Sequence, residues 1–148
     1  MNRGFTLFVA MVIMGSLLLI SSGIVGLAVK QARIAAASRD SQHAFYAADT
    51  AMECAIYWDV NHPEGISAFD PSRSTTITCN GQSFIVGGSS ESWIDDPSIT
   101  FAPDPYCAKV RVTKTGVSPV ITEIEAFGYN TCDAANLRRV ERAVQATY

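Results

Sequence analysis

A long uncharged segment lies close to the start of this 148-residue chain. Residues 5–29 are twenty-five in number and carry no charge. As an α-helix they would span about 37 Å, more than the ~30 Å hydrocarbon core of a bilayer. A removable secretory signal has an apolar region of only about 7–15 residues. Residues 35–37, Ala-Ala-Ala, resemble a signal-peptidase site, but Lys30 and Arg33 precede them. The segment therefore predicts a transmembrane helix over residues 5–29.

The helix is expected to continue well beyond the apolar run. The sequence has no proline before Pro63 and no glycine between Gly26 and Gly65. Residues 30–59 are rich in alanine and other good helix formers. Their apolar side chains recur at helical spacing and predict one stripe: Ile34, Ala37, Phe45, Ala48, Met52 and Ile56. We expect one helix over about residues 5–59, amphipathic in its second half and ended by Pro63.

Several small residues lie along the first half of this helix and just after it: Ser22, Gly26, Ala28, Ala32 and Ala36. Small side chains let the backbones of two helices approach closely inside a membrane. This part of the chain therefore predicts a helix that works in lipid and later packs against other helices.

The remainder, residues 60–148, predicts a small β-rich domain. Two strand-like runs flank Asn80-Gly81, which is a strong signal for a two-residue hairpin. A second hairpin is expected around residues 117–119. In its first strand the apolar residues Ala108, Val110 and Val112 alternate with Lys109, Arg111 and Lys114, and a last strand follows Arg139. The prediction is an α+β fold, with an antiparallel sheet of four or five strands on the amphipathic half of the helix.

The four cysteines predict disulfides rather than a metal site. Cys54, Cys79, Cys107 and Cys132 are separated by more than twenty residues each, whereas zinc ribbons need close ligand pairs. An even cysteine count behind an export-type N-terminus suggests an oxidising compartment. Four cysteines allow three pairings. Of these we favour Cys54–Cys79 and Cys107–Cys132, although the second needs the chain after Tyr129 to fold back.

No enzyme, cofactor or nucleic-acid signature is present in the sequence. The net charge is −3, so no basic face indicates nucleic acid. Catalytic motifs such as GxSxG and HExxH are missing, and His43 and His62 are expected to be solvated. We therefore predict no catalytic, cofactor-binding or metal-binding residue.

Residues 87–107 are predicted to form a long loop, a common place for functional surfaces. Its acidic residues could supply oxygen ligands to calcium, but their spacing matches no ordered calcium loop: Glu91, Asp95, Asp96 and Asp104. We expect solvated acidic side chains, and burial of Trp93 and Phe101 beneath the loop.

The N-terminal stretch RGFTLFVAMVIM resembles the leader and cleavage junction of type IV prepilins and type II secretion pseudopilins. This resemblance implies a leader over residues 1–4, with Gly4 as its last residue. A prepilin peptidase would cut there and methylate the new amine of Phe5. It also implies that the leader stays in the cytoplasm and that the C-terminal domain faces outward. The stretch SQHAFYAADTAMECAIYW is similar to the helix of X-type minor pilins.

One position departs from the pattern of this family. Major pilins carry a glutamate five residues into the mature chain, where this sequence has Val9. The resemblance implies a minor pilin or pseudopilin, with a filament tip or an initiation complex as its expected place. Its partners would be other pilin subunits, the prepilin peptidase, the inner-membrane assembly platform and, before assembly, the lipid bilayer. It would be a single-pass protein of the bacterial inner membrane and then part of a surface filament. The alternatives are a membrane-tethered binding module that never polymerises and, third, an anchored periplasmic enzyme.

Overall fold

The computed structural model describes residues 3–61 and 65–148, without the side chains of Arg3 and Pro97. Helix α1 is followed by six strands: α1 Arg3–Val60, β1 Ser74–Cys79, β2 Gln82–Gly87, β3 Glu91–Thr100, β4 Cys107–Thr115, β5 Ile121–Tyr129 and β6 Glu141–Thr147. Strands β1 and β2 form one antiparallel sheet, and β3-β4-β5-β6 form a second. The predicted α+β fold is confirmed, with its strands divided between two sheets.

Helix α1 begins and ends within two residues of the predicted bounds. The expected stop at Pro63, the neighbouring His62 and the first two leader residues lie outside the described part of the chain. The chain separates into two compact units, residues 1–38 and residues 39–148. The second unit contains the last turns of α1 and both sheets.

The helix face that packs in the second unit consists mainly of alanine. Its buried residues are Ala44, Ala47, Ala48, Ala51, Met52 and Ala55. The predicted stripe is right at Ala48 and Met52 and wrong at Ile34 and Phe45, which are exposed. Alanine side chains let the sheet come close to the helix axis, whereas larger side chains at the same positions would hold it away.

Gly128 in β5 lies very close to the backbone of α1. A Cβ atom placed there would lie 2.0 Å from the carbonyl oxygen of Ala44 and 2.4 Å from the amide nitrogen of Ala48. Both of these are backbone atoms of the helix. Only glycine therefore fits this position, and the contact sets the distance between helix and sheet.

Both predicted hairpins are confirmed. Asn80 and Gly81 have φ angles of 49° and 74°, as a two-residue turn with two positive φ angles requires, and Cys79 pairs with Gln82 across it. Strands β4 and β5 pair from Thr115–Ile121 back to Cys107–Tyr129.

The prediction of a loop over residues 87–107 is wrong, because strand β3 occupies residues 91–100. Its register shifts between Ile94 and Ile99, and this irregularity interrupts the alternation that would have indicated a strand. The expected burial of Trp93 is also wrong. Trp93 is 43% exposed on the face of β3 opposite the buried Ile94, whereas Phe101 packs against the core as expected.

Candidate functional site: the N-terminal helix and its outward domain

The first part of α1 exposes a continuous apolar surface. Its large apolar side chains are exposed throughout, from Phe5 and Leu7 to Leu27 and Val29. Within the described residues, α1 is the one helix long and apolar enough to cross a bilayer, and its apolar window has no buried residue. Such a surface needs either lipid or other helices around it.

The surface of this segment has open notches at its glycines. A Cβ atom placed on Gly15, Gly23 or Gly26 would meet no other atom within 4 Å. In a helix exposed to water, such glycines would lower the stability of the helix and would serve no packing contact. In a membrane or a helix bundle, they allow a neighbouring helix to come close.

The start of α1 carries no negative charge. Its first turn has no acidic residue, and the sequence has no Asp or Glu before Asp40. Val9 is at the position of the family glutamate and is exposed. An amine created on Phe5 would therefore find no carboxylate in the part of its own helix before Asp40.

The comparison with protein families agrees with this arrangement. Residues 3–53 match the PilX N-terminal family. For the residues that it covers, the match supports a likeness to type IV minor pilins. The match indicates a minor-pilin role and assembly with other pilin subunits, and this is a structural family rather than an enzyme family. It also fits anchoring in the inner membrane followed by entry into a pilus.

The family match covers about a third of the chain and ends inside α1. No curated protein and no solved structure matches the chain significantly. Both β-sheets lie outside the matched residues.

A disulfide ties the end of α1 to the two-stranded sheet. Cys54 and Cys79 are bonded, with their Cα atoms 6.0 Å apart. Beside this bond, the indole N–H of Trp58 donates to the carbonyl oxygen of Thr78 at 3.0 Å. The helix is thus fixed to β1 by a covalent bond and by a hydrogen bond one residue away.

The other two cysteines are unbonded thiols in the structure, unlike the favoured second pairing. Cys107 pairs with Tyr129 across the sheet, so Cys132 lies beyond the end of the ladder. The chain does fold back there, since the N–H of Cys132 donates to the carbonyl oxygen of Pro105 at 3.0 Å. Desolvation and a hydrogen bond with Cys107 raise the pKa of the Cys132 thiol to about 12. The two sulfurs are therefore neighbours, and a bond between them stays a prediction.

A buried charged cluster joins α1 to the larger sheet. The Lys114 ammonium lies 2.7 Å from an Asp59 carboxylate oxygen, and the two side chains are only 9% and 5% exposed. The Tyr148 hydroxyl donates to the other oxygen at 2.8 Å, and the Ser67 hydroxyl also donates to Asp59. Lys114 further donates to the Thr122 hydroxyl at 2.9 Å. Every charge in this cluster has a partner, which is the condition for burying it.

This cluster was not predicted, because Lys114 resembles Lys109 and Arg111, the polar residues that alternate with the apolar side chains of β4. Residues two apart on a strand share a face, so Lys114 belongs with Val110 and Val112, which are buried. A lysine at an inward position predicts a buried carboxylate partner. Burial, the hydrogen bond to Asp59 and the charge of Asp59 raise the pKa of Tyr148 above its usual value. Tyr148 therefore stays a proton donor to Asp59 at neutral pH.

The acidic residues considered for calcium do not come together. Asp95 forms an ion pair with Lys109, and Glu91 accepts a hydrogen bond from the Trp93 indole at 2.9 Å. Asp104 lies outside β3, in the loop between β3 and β4. Among the described residues, no group of three or more His, Cys, Asp or Glu side chains could hold a metal ion.

The expectation that His43 is solvated is wrong. Its imidazole is half-buried and stacks on the Tyr106 ring, with centroids 4.4 Å apart and planes 14° from parallel. His62 lies outside the described residues. His43 therefore belongs to an aromatic wall between α1 and the loop before β4.

Proposed function

We propose that this protein is a minor pilin or pseudopilin that anchors in the bacterial inner membrane and then enters a filament through its N-terminal helix. The observation that carries this proposal is the family-matching helix, whose first part is apolar and exposed on all sides. In a membrane, lipid acyl chains cover this apolar surface. In a filament, the helices of other subunits cover it.

The proposal includes a defined topology. Residues 1–4 remain in the cytoplasm until cleavage, residues 5–29 cross the membrane once, and the domain from residue 39 onward faces outward. A prepilin peptidase and an inner-membrane assembly platform are the expected partners. The two cysteine pairs fit an oxidising compartment, in which Cys107 and Cys132 would also become bonded. Peptide mapping without reduction distinguishes that bond from two thiols.

The mature N-terminus tests the proposal most directly. We expect cleavage between Gly4 and Phe5 and methylation of the new amine. Gly4 has open space around it, and the peptidase must accommodate this residue. Replacing Gly4 with leucine should leave the full-length precursor, whereas the matched change Gly15→Leu should not affect cleavage. Mass spectrometry of the protein from cells decides the matter, and a mature chain that begins at Met1 would overturn the proposal.

We further propose a place at the filament tip or in the initiation complex. A lone ammonium in hydrocarbon costs about 2.5–3.5 kcal/mol even on lenient scales. In a repeating lattice, each subunit would offset that cost for its neighbour with a carboxylate. This chain has Val9 at the relevant position and no Asp or Glu before Asp40. Its own amine can pair with a carboxylate of a neighbouring subunit, but it has no carboxylate for a neighbour's amine. Such a subunit suits the end of a filament better than its repeating body.

Copy number in purified filaments tests this position. The wild-type protein should be present in few copies for each filament, and Val9→Glu should enter the shaft more readily. Val9→Gln, which is similar in size but uncharged, serves as the control and should behave like the wild type. A wild-type protein as abundant as the main subunit would contradict a tip position.

The same measurement separates the proposal from the alternative of a tethered binding module. A binding module would stay in the membrane and would be missing from filaments altogether. The family match favours the pilin over an anchored enzyme, because it is a match to a structural family rather than to an enzyme family.

A further inference from the structure

A small aromatic cavity of about 180 Å³ lies in the outward domain, between α1 and the loop before β4. Four of its walls are rings: His43 and Tyr46 from the helix, and Phe101 and Tyr106 from the loop. A fifth wall is Asp104, which brings the one carboxylate among the lining residues. This cavity takes no part in the proposed assembly through the N-terminal helix.

The loop side of the cavity is held in place by the backbone. The N–H of Phe101 donates to the carbonyl oxygen of Tyr106 at 3.2 Å, and the N–H of Asp104 donates to that of Phe101 at 3.0 Å. The stack of His43 on Tyr106 joins this loop to the helix. The rings are therefore positioned before any ligand arrives, which lowers the entropic cost of binding.

The charge around the cavity favours a cation. Between positions 40 and 108 the sequence holds ten Asp and Glu residues and a single basic residue, Arg73. All seven residues that line the cavity belong to this stretch. Among the described residues, Asp104 has no ion pair, and no lysine or arginine lines the cavity.

We propose that this cavity binds a quaternary ammonium group of the choline type. The faces of aromatic rings attract cations, and they favour quaternary ammonium because it is weakly hydrated. A lysine ammonium holds its water more strongly and gains less from such walls. A metal ion would need several oxygen ligands, and the cavity supplies one carboxylate.

Binding of choline to the full-length protein in neutral glycoside detergent tests the charge requirement. The control ligand is the uncharged analogue in which carbon replaces the nitrogen, so that shape is kept and charge is lost. Saturation-transfer NMR at constant ionic strength should show choline binding about tenfold more tightly than the analogue. Equal binding of the two ligands would overturn the proposal, because it would indicate an apolar cavity only.

Paired variants test the location. Tyr46→Leu and Asp104→Asn should each weaken choline binding about three- to tenfold. Tyr46 is 64% exposed, so its replacement should leave the fold intact. The control for Tyr46→Leu is Tyr57→Leu, which changes a tyrosine of the same helix that is 55% exposed. The control for Asp104→Asn is Glu53→Gln, which changes an exposed acidic residue of that helix. Neither control residue lines the cavity. If the controls weaken binding as much as the cavity variants, the site is elsewhere and the proposal fails.

A final comparison identifies the source of the ammonium group. Glycerophosphocholine carries the same cation with a phosphate attached, as a lipid headgroup does. Binding as tight as that of choline supports a headgroup or surface polymer as the natural ligand, and weaker binding supports free choline-like solutes. If neither compound binds, the proposal is wrong.

Discussion

Replacing Gly128 with alanine should destabilise the outward domain by about 3 kcal/mol or more, at the upper end of the cost of overpacking a core. The added methyl group would lie 2.0 Å from the carbonyl oxygen of Ala44 and 2.4 Å from the amide nitrogen of Ala48. Neither atom can rotate away, since both belong to the backbone of α1. The sheet would have to move off the helix, which would open the core around Met52 and Ala55. Urea unfolding of the full chain in detergent, followed by tryptophan fluorescence, measures the loss.

A second substitution distinguishes a backbone clash from a side-chain clash. If the methyl group met only the side chains of the helix, Ala44→Gly together with Gly128→Ala would restore stability. Because the nearest atoms are backbone, we expect no recovery from this pair and a further loss of about 1 kcal/mol from the new helix glycine. Full recovery in the double variant would show that the sheet does not approach the helix as closely as described.

The sequence was sufficient for the elements with strong local signals. Helix α1 follows from its alanine-rich composition and from the lack of glycine and proline between residues 27 and 59. The turn at Asn80-Gly81 follows from the need for two positive φ angles. In both cases the structure is determined by interactions between residues close together in the sequence. Such local preferences can be recognised from the sequence alone.

The features that the sequence did not reveal depend on residues far apart in the chain. The sequence of strand β3 does not alternate regularly, because its register shifts between Ile94 and Ile99, and the strand is defined by its pairing with β4. The stacking of His43 on Tyr106 joins residues sixty-three positions apart. The buried face of α1 was partly misjudged, because close packing against Gly128 selects alanine over larger apolar side chains.

Lys114→Met should cost about 3–5 kcal/mol of stability at neutral pH, because it removes one partner of a buried ion pair. Methionine keeps the length and the apolar stem of the side chain but leaves the Asp59 carboxylate without its cation. Asp59 would keep only the hydroxyl groups of Ser67 and Tyr148, which cannot neutralise its charge. Denaturant unfolding at neutral pH measures the loss.

Lys109→Met is the matched control, because it makes the same change five residues earlier on the opposite face of β4. Lys109 also pairs with a carboxylate, Asp95, but those side chains are 32% and 49% exposed. Water solvates Asp95 when its partner is lost, so this variant should cost only about 0–1 kcal/mol. The double variant of Lys114→Met with Asp59→Asn should be more stable than Lys114→Met alone, since it removes the stranded charge. Equal losses at Lys114 and Lys109 would mean that water reaches the cluster and that burial does not set its energy.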